Sequence, residues 1–185
     1  MEKITELNVQ EMITETNKKW GFEKYAKIAK CFGAVNVSQS REFQKTYNGF
    51  YRVRRNVEWQ QIYYAMMEKY KRSAITFEEL LKEFYFKTNR VEASFISKLL
   101  HTIDNNMPIW DKFVLQNLCK KMQMCHGEEK LNAAINIYEE IVAWYKAALK
   151  DERIKKKLAD FDKALPQYSW FSQTKKLDFL LWQMR

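Results

Sequence analysis

TFEELLKEFYFKTNRVEASFISKLLHTI, residues 76–103, contains two clear helical patterns in succession. Its first half opens with a capping box, in which Thr76 is followed three residues later by Glu79. Apolar residues then recur at the spacing of one helix face. The same spacing returns from Val91 to Ile103 after a short connection. The stretch therefore predicts two consecutive helices with a tight link between them.

Helical spacing of apolar residues continues along most of the chain. A first helix is predicted around Ile4, Leu7 and Met12, and a later one at residues 41–47 before Asn48-Gly49. Polar residues that commonly cap helices predict further starts. These caps are Asn56, Asp111 and Thr174, and Gly127 precedes the longest apolar-periodic segment.

The fold class follows from the low content of turn residues. The 185 residues include only four glycines and two prolines, whereas sandwiches and doubly wound sheets need frequent turns that use both. Hydrophobic residues make up 46% of the chain, and a chain of this length buries roughly 70% of its unfolded surface. We therefore predict an all-α protein in which residues 1–185 form a single compact, orthogonal domain of about eight or nine helices.

The charge is strongly basic, with a formal net charge of +9 and a pI near 9.3. Residues 51–100 carry ten basic against six acidic side chains, and residues 151–185 carry eight against five. Aromatic and basic residues interleave at residues 51–55 and again among Lys175, Lys176 and Trp182. Such surfaces attract polyanions, most commonly nucleic acid, although lysines that serve solubility give the same balance.

Several classes of function are disfavoured. No glycine-rich phosphate loop, nucleophile elbow or cofactor signature occurs, so no cofactor is predicted. Cys119, Cys125 and His126 do not have zinc-site spacing, and no metal is predicted. Three cysteines, no secretory signal and no long apolar run favour a reduced, cytoplasmic protein that does not enter a membrane.

The helix over residues 91–103 carries a polar face. Ser94, Ser97, Lys98 and His101 fall at helical spacing opposite the apolar face. This face is either solvated or one wall of a pocket in which Lys98 and His101 turn toward Asp111. Asp111 itself is either an N-cap alone or an N-cap that also stabilises positive charge.

The segment EASFISKLLHTIDNNMPIWDKFVLQNL, residues 92–118, resembles the centre of the helix-hairpin-helix DNA glycosylase superfamily, in a bacterial branch with an 8-oxoguanine DNA glycosylase-like fold. In that superfamily an aspartate that opens a helix stabilises the sugar oxocarbenium ion, and in some members a preceding lysine forms a Schiff base. The resemblance assigns these roles to Asp111 and Lys98. The family's hairpin is glycine-rich, whereas residues 88–92 contain no glycine.

The leading hypothesis is a nucleic-acid-associated helical protein with this fold, with or without catalysis. Its catalytic candidates are Asp111, Lys98 and His101. Its candidates for contacting duplex or single-stranded DNA are Arg52, Arg54, Arg55, Arg90 and Trp110. One alternative is a non-enzymatic protein-interaction module with an exposed apolar patch around Trp170 and Phe171. The other is a base-excising DNA glycosylase proper.

Overall fold

The structure is a computed structural model, and it describes residues 9, 13, 14, 21–122 and 125–183, without the side chain of residue 183. The described residues contain nine α-helices, one 3₁₀ turn at Pro166–Tyr168 and no strand, so the predicted all-α class is confirmed. The predicted helix containing Ile4, Leu7 and Met12 lies outside the described residues. The helices are α1 (Gly21–Phe32), α2 (Arg41–Tyr51), α3 (Val57–Lys69), α4 (Phe77–Thr88), α5 (Ala93–Ile103), α6 (Lys112–Asn117), α7 (Gly127–Ala148), α8 (Glu152–Ala164) and α9 (Gln173–Gln183).

Local hydrogen bonds explain where most helices begin. The predicted capping box before α4 is present: the Thr76 hydroxyl accepts from the Glu79 N–H at 3.2 Å, and Glu79 Oε2 accepts from the Thr76 N–H at 2.9 Å. Asn56 caps α3 by accepting from the Trp59 N–H at 3.1 Å. These bonds satisfy N–H groups that a helix leaves without intrahelical partners.

Two boundaries differ from the sequence prediction. Helix α2 continues through Gly49 and ends at Tyr51, after which Arg52 adopts left-handed backbone geometry with φ of 55°. Tyr47 and Tyr51 are both buried and their ring centroids are 4.6 Å apart, and this packing offsets the roughly 1 kcal/mol that a helical glycine costs. The second difference is at α9, where Ser172 caps the helix instead of Thr174, because the Ser172 hydroxyl accepts from the Lys175 N–H at 3.1 Å.

The buried residues form one continuous cluster in the described part of the chain, and α5 passes through it. Ile96, Leu99 and Leu100 on α5 are almost completely buried. Helix α4 packs against α5 and α7, while α9 packs against α6 and α8. This arrangement brings the polar face of α5 close to the start of α6 and to α9.

None of the described helices combines the length and the apolar character that crossing a lipid bilayer requires.

Candidate functional site

A cavity of about 330 Å³ opens where the end of α2, α5, the start of α6 and α9 meet. Six charged side chains line it, and four of them are half-buried or buried: Lys98 from α5, Asp111 at the start of α6, and Lys175 and Asp178 from α9. The rest of the lining is mostly apolar and aromatic, with two exposed cations. These residues are Phe50, Tyr51, Arg52, Ile109, Lys112, Phe113, Phe179 and Trp182. We call this cavity the central pocket.

Asp111 has the N-cap geometry that the sequence predicts. Its Oδ1 accepts from the N–H groups of Phe113 and Val114 at 2.8 and 2.9 Å. Burial and the nearby Asp178 carboxylate raise the pKa of Asp111, while those two hydrogen bonds and the Lys98 ammonium act in the opposite direction. Asp111 is therefore a cap that also presents a carboxyl group to the pocket.

The polar face of α5 holds the loop that leads into Asp111. The Ser97 hydroxyl accepts from the Trp110 N–H at 2.9 Å, and the Ser94 hydroxyl donates to the Trp110 carbonyl at 3.0 Å. Lys98 Nζ donates to the same Ser94 oxygen at 2.7 Å. Two of the four predicted face residues thus fix the backbone next to Asp111.

The carbonyl groups of this loop are bound one after another by side chains from different helices. The carbonyls of residues 105, 106, 107 and 108 accept hydrogen bonds from Ser172, Thr174, His101 and Tyr138 in that order, at 2.5, 3.1, 2.7 and 2.9 Å. A loop in which four consecutive carbonyl groups are bound by side chains in this way has little freedom to move. Asp111 is consequently held in one position relative to α5 and α9.

His101 does not line the central pocket, in contrast to the sequence expectation. It is 1% exposed and lines a separate concavity beside Tyr25 and Asp104. Burial, reinforced by the Lys175 charge, lowers the pKa of His101 to about 3, so the ring is neutral. Because Nδ1 faces the Met107 carbonyl, we assign the proton to Nδ1, and Nε2 accepts from the Tyr25 hydroxyl at 3.1 Å. His101 positions the loop.

Lys98 does lie in the pocket with Asp111. Burial lowers the pKa of Lys98 to about 8, although the Asp111 and Asp178 carboxylates act to raise it. The ammonium lies 5.1 Å from the centroid of the Phe95 ring, and no direct ion pair joins it to a carboxylate within the described residues. At neutral pH most Lys98 side chains are charged, with a larger neutral fraction than an ordinary lysine has.

Lys175 and Asp178 form a buried ion pair at the base of the pocket, with Nζ and Oδ2 2.6 Å apart. Their side chains are only 3% and 10% exposed. Four aromatic rings lie within 6.0 Å of the Lys175 ammonium, those of Tyr25, Phe50, Tyr51 and Phe179. The interleaving of basic and aromatic residues singles out Lys175 and Trp182, but sequence reasoning misses Asp178. A Lys and an Asp three residues apart in an otherwise apolar helix were the available signal.

The four arginines predicted to contact DNA lie in three different parts of the structure. Arg52 lines the central pocket. Arg55 and Arg90 line a second, shallower concavity of about 560 Å³ at the α4–α5 turn. Arg55 is partly neutralised there by Glu92, whose carboxylate lies 2.9 Å from its guanidinium. Arg54 is exposed on the connection before α3.

Trp110 and Trp182 also lie in different environments. Trp110, a predicted DNA contact, is 6% exposed and belongs to the core, whereas Trp182 lines the central pocket. Phe171 is buried and Trp170 is partly exposed beside the Lys30 ammonium. The apolar patch expected around these last two residues is thus reduced to one side chain.

The three cysteines do not belong to a cluster of potential metal ligands within the described residues. Cys119 is exposed, and Cys31 and Cys125 are half-buried. Within the ranges that the structure describes, no cluster of three or more histidine, cysteine, aspartate or glutamate side chains could hold a metal ion.

Comparison with family models, with curated proteins and with solved structures finds no match to this chain. The site is therefore interpreted from its own geometry.

Proposed function

We propose that this protein binds nucleic acid and holds one unstacked base in the central pocket, in the manner of a DNA-glycosylase-like domain. The observation that carries the proposal is the composition of the pocket: aromatic side chains that include Phe50, Phe113 and Trp182 surround a 330 Å³ space. Aromatic faces stack on bases, and such stacking is worth about 1–3 kcal/mol per base.

The charges in and around the pocket agree with a ligand that carries phosphate. Four cationic side chains line it against two carboxylates, and Arg52 and Lys112 are exposed. A phosphate next to the bound base would meet these two cations without entering the apolar interior. Charge-assisted contacts of this type fix the register of a nucleic acid but do not read its sequence.

The second concavity extends the basic surface along the chain. Arg90 and Lys130 line it, together with His126 and the Arg55–Glu92 pair. Glu92 comes directly before α5, the helix that carries Lys98 into the central pocket. A strand that enters the pocket therefore has a neighbouring cationic surface for its flanking phosphates.

A second candidate function is base excision, which the position of Asp111 favours. A carboxylate held rigidly in the pocket can stabilise a sugar that becomes positively charged as its base departs. Lys98 is the adjacent amine, in the role that the resemblance assigns to it. The amine would attack the sugar carbon only after the base has left.

Binding to labelled duplex, single-stranded and abasic-site DNA at several salt concentrations tests the proposal. We expect binding that weakens steeply with salt, since each phosphate contact contributes about 0.9 to the logarithmic slope. The double variant R52A/K112A should lower that slope by about 2. The matched control K146A/K156A removes two exposed lysines outside the described concavities and should keep the wild-type slope. Absence of binding at low salt would falsify the proposal.

Excision is tested separately with duplexes that carry damaged or mismatched bases, followed by alkaline cleavage of abasic products. D111N should abolish product formation while DNA binding remains. Product formation by D111N at the wild-type rate would remove Asp111 from the chemistry.

A further inference from the structure

The buried Lys175–Asp178 pair lies in the central pocket, yet its contribution to folding does not explain it. Taking two charges out of water costs several kcal/mol per ion, and apolar pairs of similar volume are often equally stable or more stable. The pair also occupies the lining of the pocket and not a sealed core. A role at the ligand is therefore the more economical explanation for its presence.

Asp178 retains acceptor capacity toward the pocket. Its Oδ2 is bound by the Lys175 ammonium at 2.6 Å. A carboxylate has about four lone-pair sites, and Asp178 lines the pocket. The carboxylate can therefore accept a further hydrogen bond from a donor on the ligand.

Lys175 holds that acceptor in one orientation. Its ammonium is enclosed by aromatic rings, the nearest being Phe179 at 4.5 Å and Tyr25 at 4.7 Å. Contacts of this kind stabilise a cation and restrict the rotamers of its side chain. The carboxylate bound to that cation is consequently fixed before any ligand arrives, so less entropy is lost on binding.

Lys98 supplies the complementary donor in the same pocket. Its ammonium uses one N–H for the Ser94 hydroxyl, which leaves other N–H groups for a ligand. Asp178 and Lys98 also interact electrostatically with each other. The pocket thus offers a fixed acceptor, a donor and aromatic faces within one small volume.

We infer that Asp178, held by Lys175, is the specificity-determining residue of the pocket, accepting a hydrogen bond from an N–H group on the edge of the bound base. Thymine presents its N3–H and adenine its N6–H, whereas N3-methylthymine presents no N–H group. The inference rests on the proposed binding of an unstacked base, and it names the group on that base that the pocket recognises.

The test varies a single base in an otherwise baseless strand. Labelled single-stranded DNA of about 12 nucleotides, within the usual range of site sizes, carries no base except at one central position. That position holds thymine, N3-methylthymine, adenine or no base. The phosphates are the same in all four strands, so differences in the dissociation constant report the pocket alone. We expect thymine and adenine, which both present an N–H group, to bind about tenfold more tightly than the baseless strand, and N3-methylthymine to lose the part of that gain that the hydrogen bond supplies.

The variant K175M/D178L removes the pair without leaving either charge buried alone. It should unfold at a temperature close to that of the wild type and bind the three base-containing strands equally, because the aromatic rings remain. The matched control K176M/D162L removes the neighbouring ion pair between α9 and α8, whose atoms are 2.5 Å apart and which does not line the pocket. That control should keep the preference for thymine over N3-methylthymine.

The outcomes separate the two proposals. Wild-type protein that binds none of the strands at low salt contradicts the proposed function. Wild-type protein that binds thymine and N3-methylthymine strands equally, or a folded K175M/D178L variant that still prefers thymine to N3-methylthymine, overturns the role of Asp178 and leaves nucleic-acid binding intact. Wild-type protein that binds the baseless strand as tightly as the thymine strand contradicts the proposed binding of a base in the pocket.

Discussion

Replacing Asp111 by alanine and by asparagine separates its capping role from its charge. Alanine removes the acceptor of two backbone N–H groups at 2.8 and 2.9 Å, and one of them belongs to Val114, which is 1% exposed. Loss of an N-cap costs about 0.5–2 kcal/mol, and the burial of Val114 places this one near the upper end, at about 1.5–2 kcal/mol. For a protein of this size that corresponds to a fall in Tm of about 3–8 °C.

Asparagine keeps the acceptor oxygen and is an equally good N-cap. It also removes a carboxylate whose pKa is raised by burial and by Asp178, which means that folding disfavours its charged form. We therefore expect D111N to have a free energy of unfolding within about 0.5 kcal/mol of the wild type at neutral pH. Any stabilisation should appear as the pH rises from the ordinary value of 3.8 through the folded pKa, where the wild type loses stability and D111N does not.

Thermal unfolding followed by far-ultraviolet circular dichroism, repeated across that pH window, measures both differences. Base-excision or DNA-binding assays on the same samples then report the charge alone, because D111N is folded and capped. A D111N variant as unstable as D111A would refute the reasoning, since the two N–H bonds would then not be the contribution that Asp111 makes.

Two substitutions and one chemical modification test the groups that hold and line the central pocket. Ser97→Ala leaves the buried Trp110 N–H without an acceptor and should cost about 1–3 kcal/mol in urea unfolding, whereas Ser169→Ala at an exposed turn should change little. The depressed pKa of His101 makes stability rise with pH from about 3 to about 6.5, and His101→Asn should flatten that slope in unfolding measurements. Acylation of Lys98, followed by peptide mass spectrometry, should increase with an apparent pKa of about 8, below that of exposed lysines.

Each of these three predictions can be contradicted by a specific result. A Ser97→Ala protein as stable as the Ser169→Ala control would mean that the loop does not depend on this hydrogen bond. An unchanged pH slope in His101→Asn would assign the acid sensitivity to other groups. Acylation of Lys98 with the pH profile of a surface lysine would contradict its burial.

The sequence predicted only part of the candidate site. The pairing of Lys98 with Asp111 follows from the spacing of α5 and the cap position of α6, and the structure places both in one pocket. His101 has the same helical spacing, yet it turns away to bind the Met107 carbonyl and Tyr25. A periodicity of 3.6 residues identifies a helix face, but a face is wide enough for neighbouring members to meet different partners.

The helices and many of their starts could be predicted from the amino-acid sequence, including the caps at Asn56, Thr76 and Asp111. Capping hydrogen bonds join residues two or three positions apart, and apolar periodicity is equally local, so both can be predicted from short segments. Which polar residues surround the pocket depends instead on how distant helices pack. The bonds responsible join residues far apart in the chain: 67 positions separate Ser172 from the carbonyl of residue 105, and 76 separate Tyr25 from His101. No local pattern encodes contacts of that range, because they exist only once the core has packed α1, α5 and α9 together.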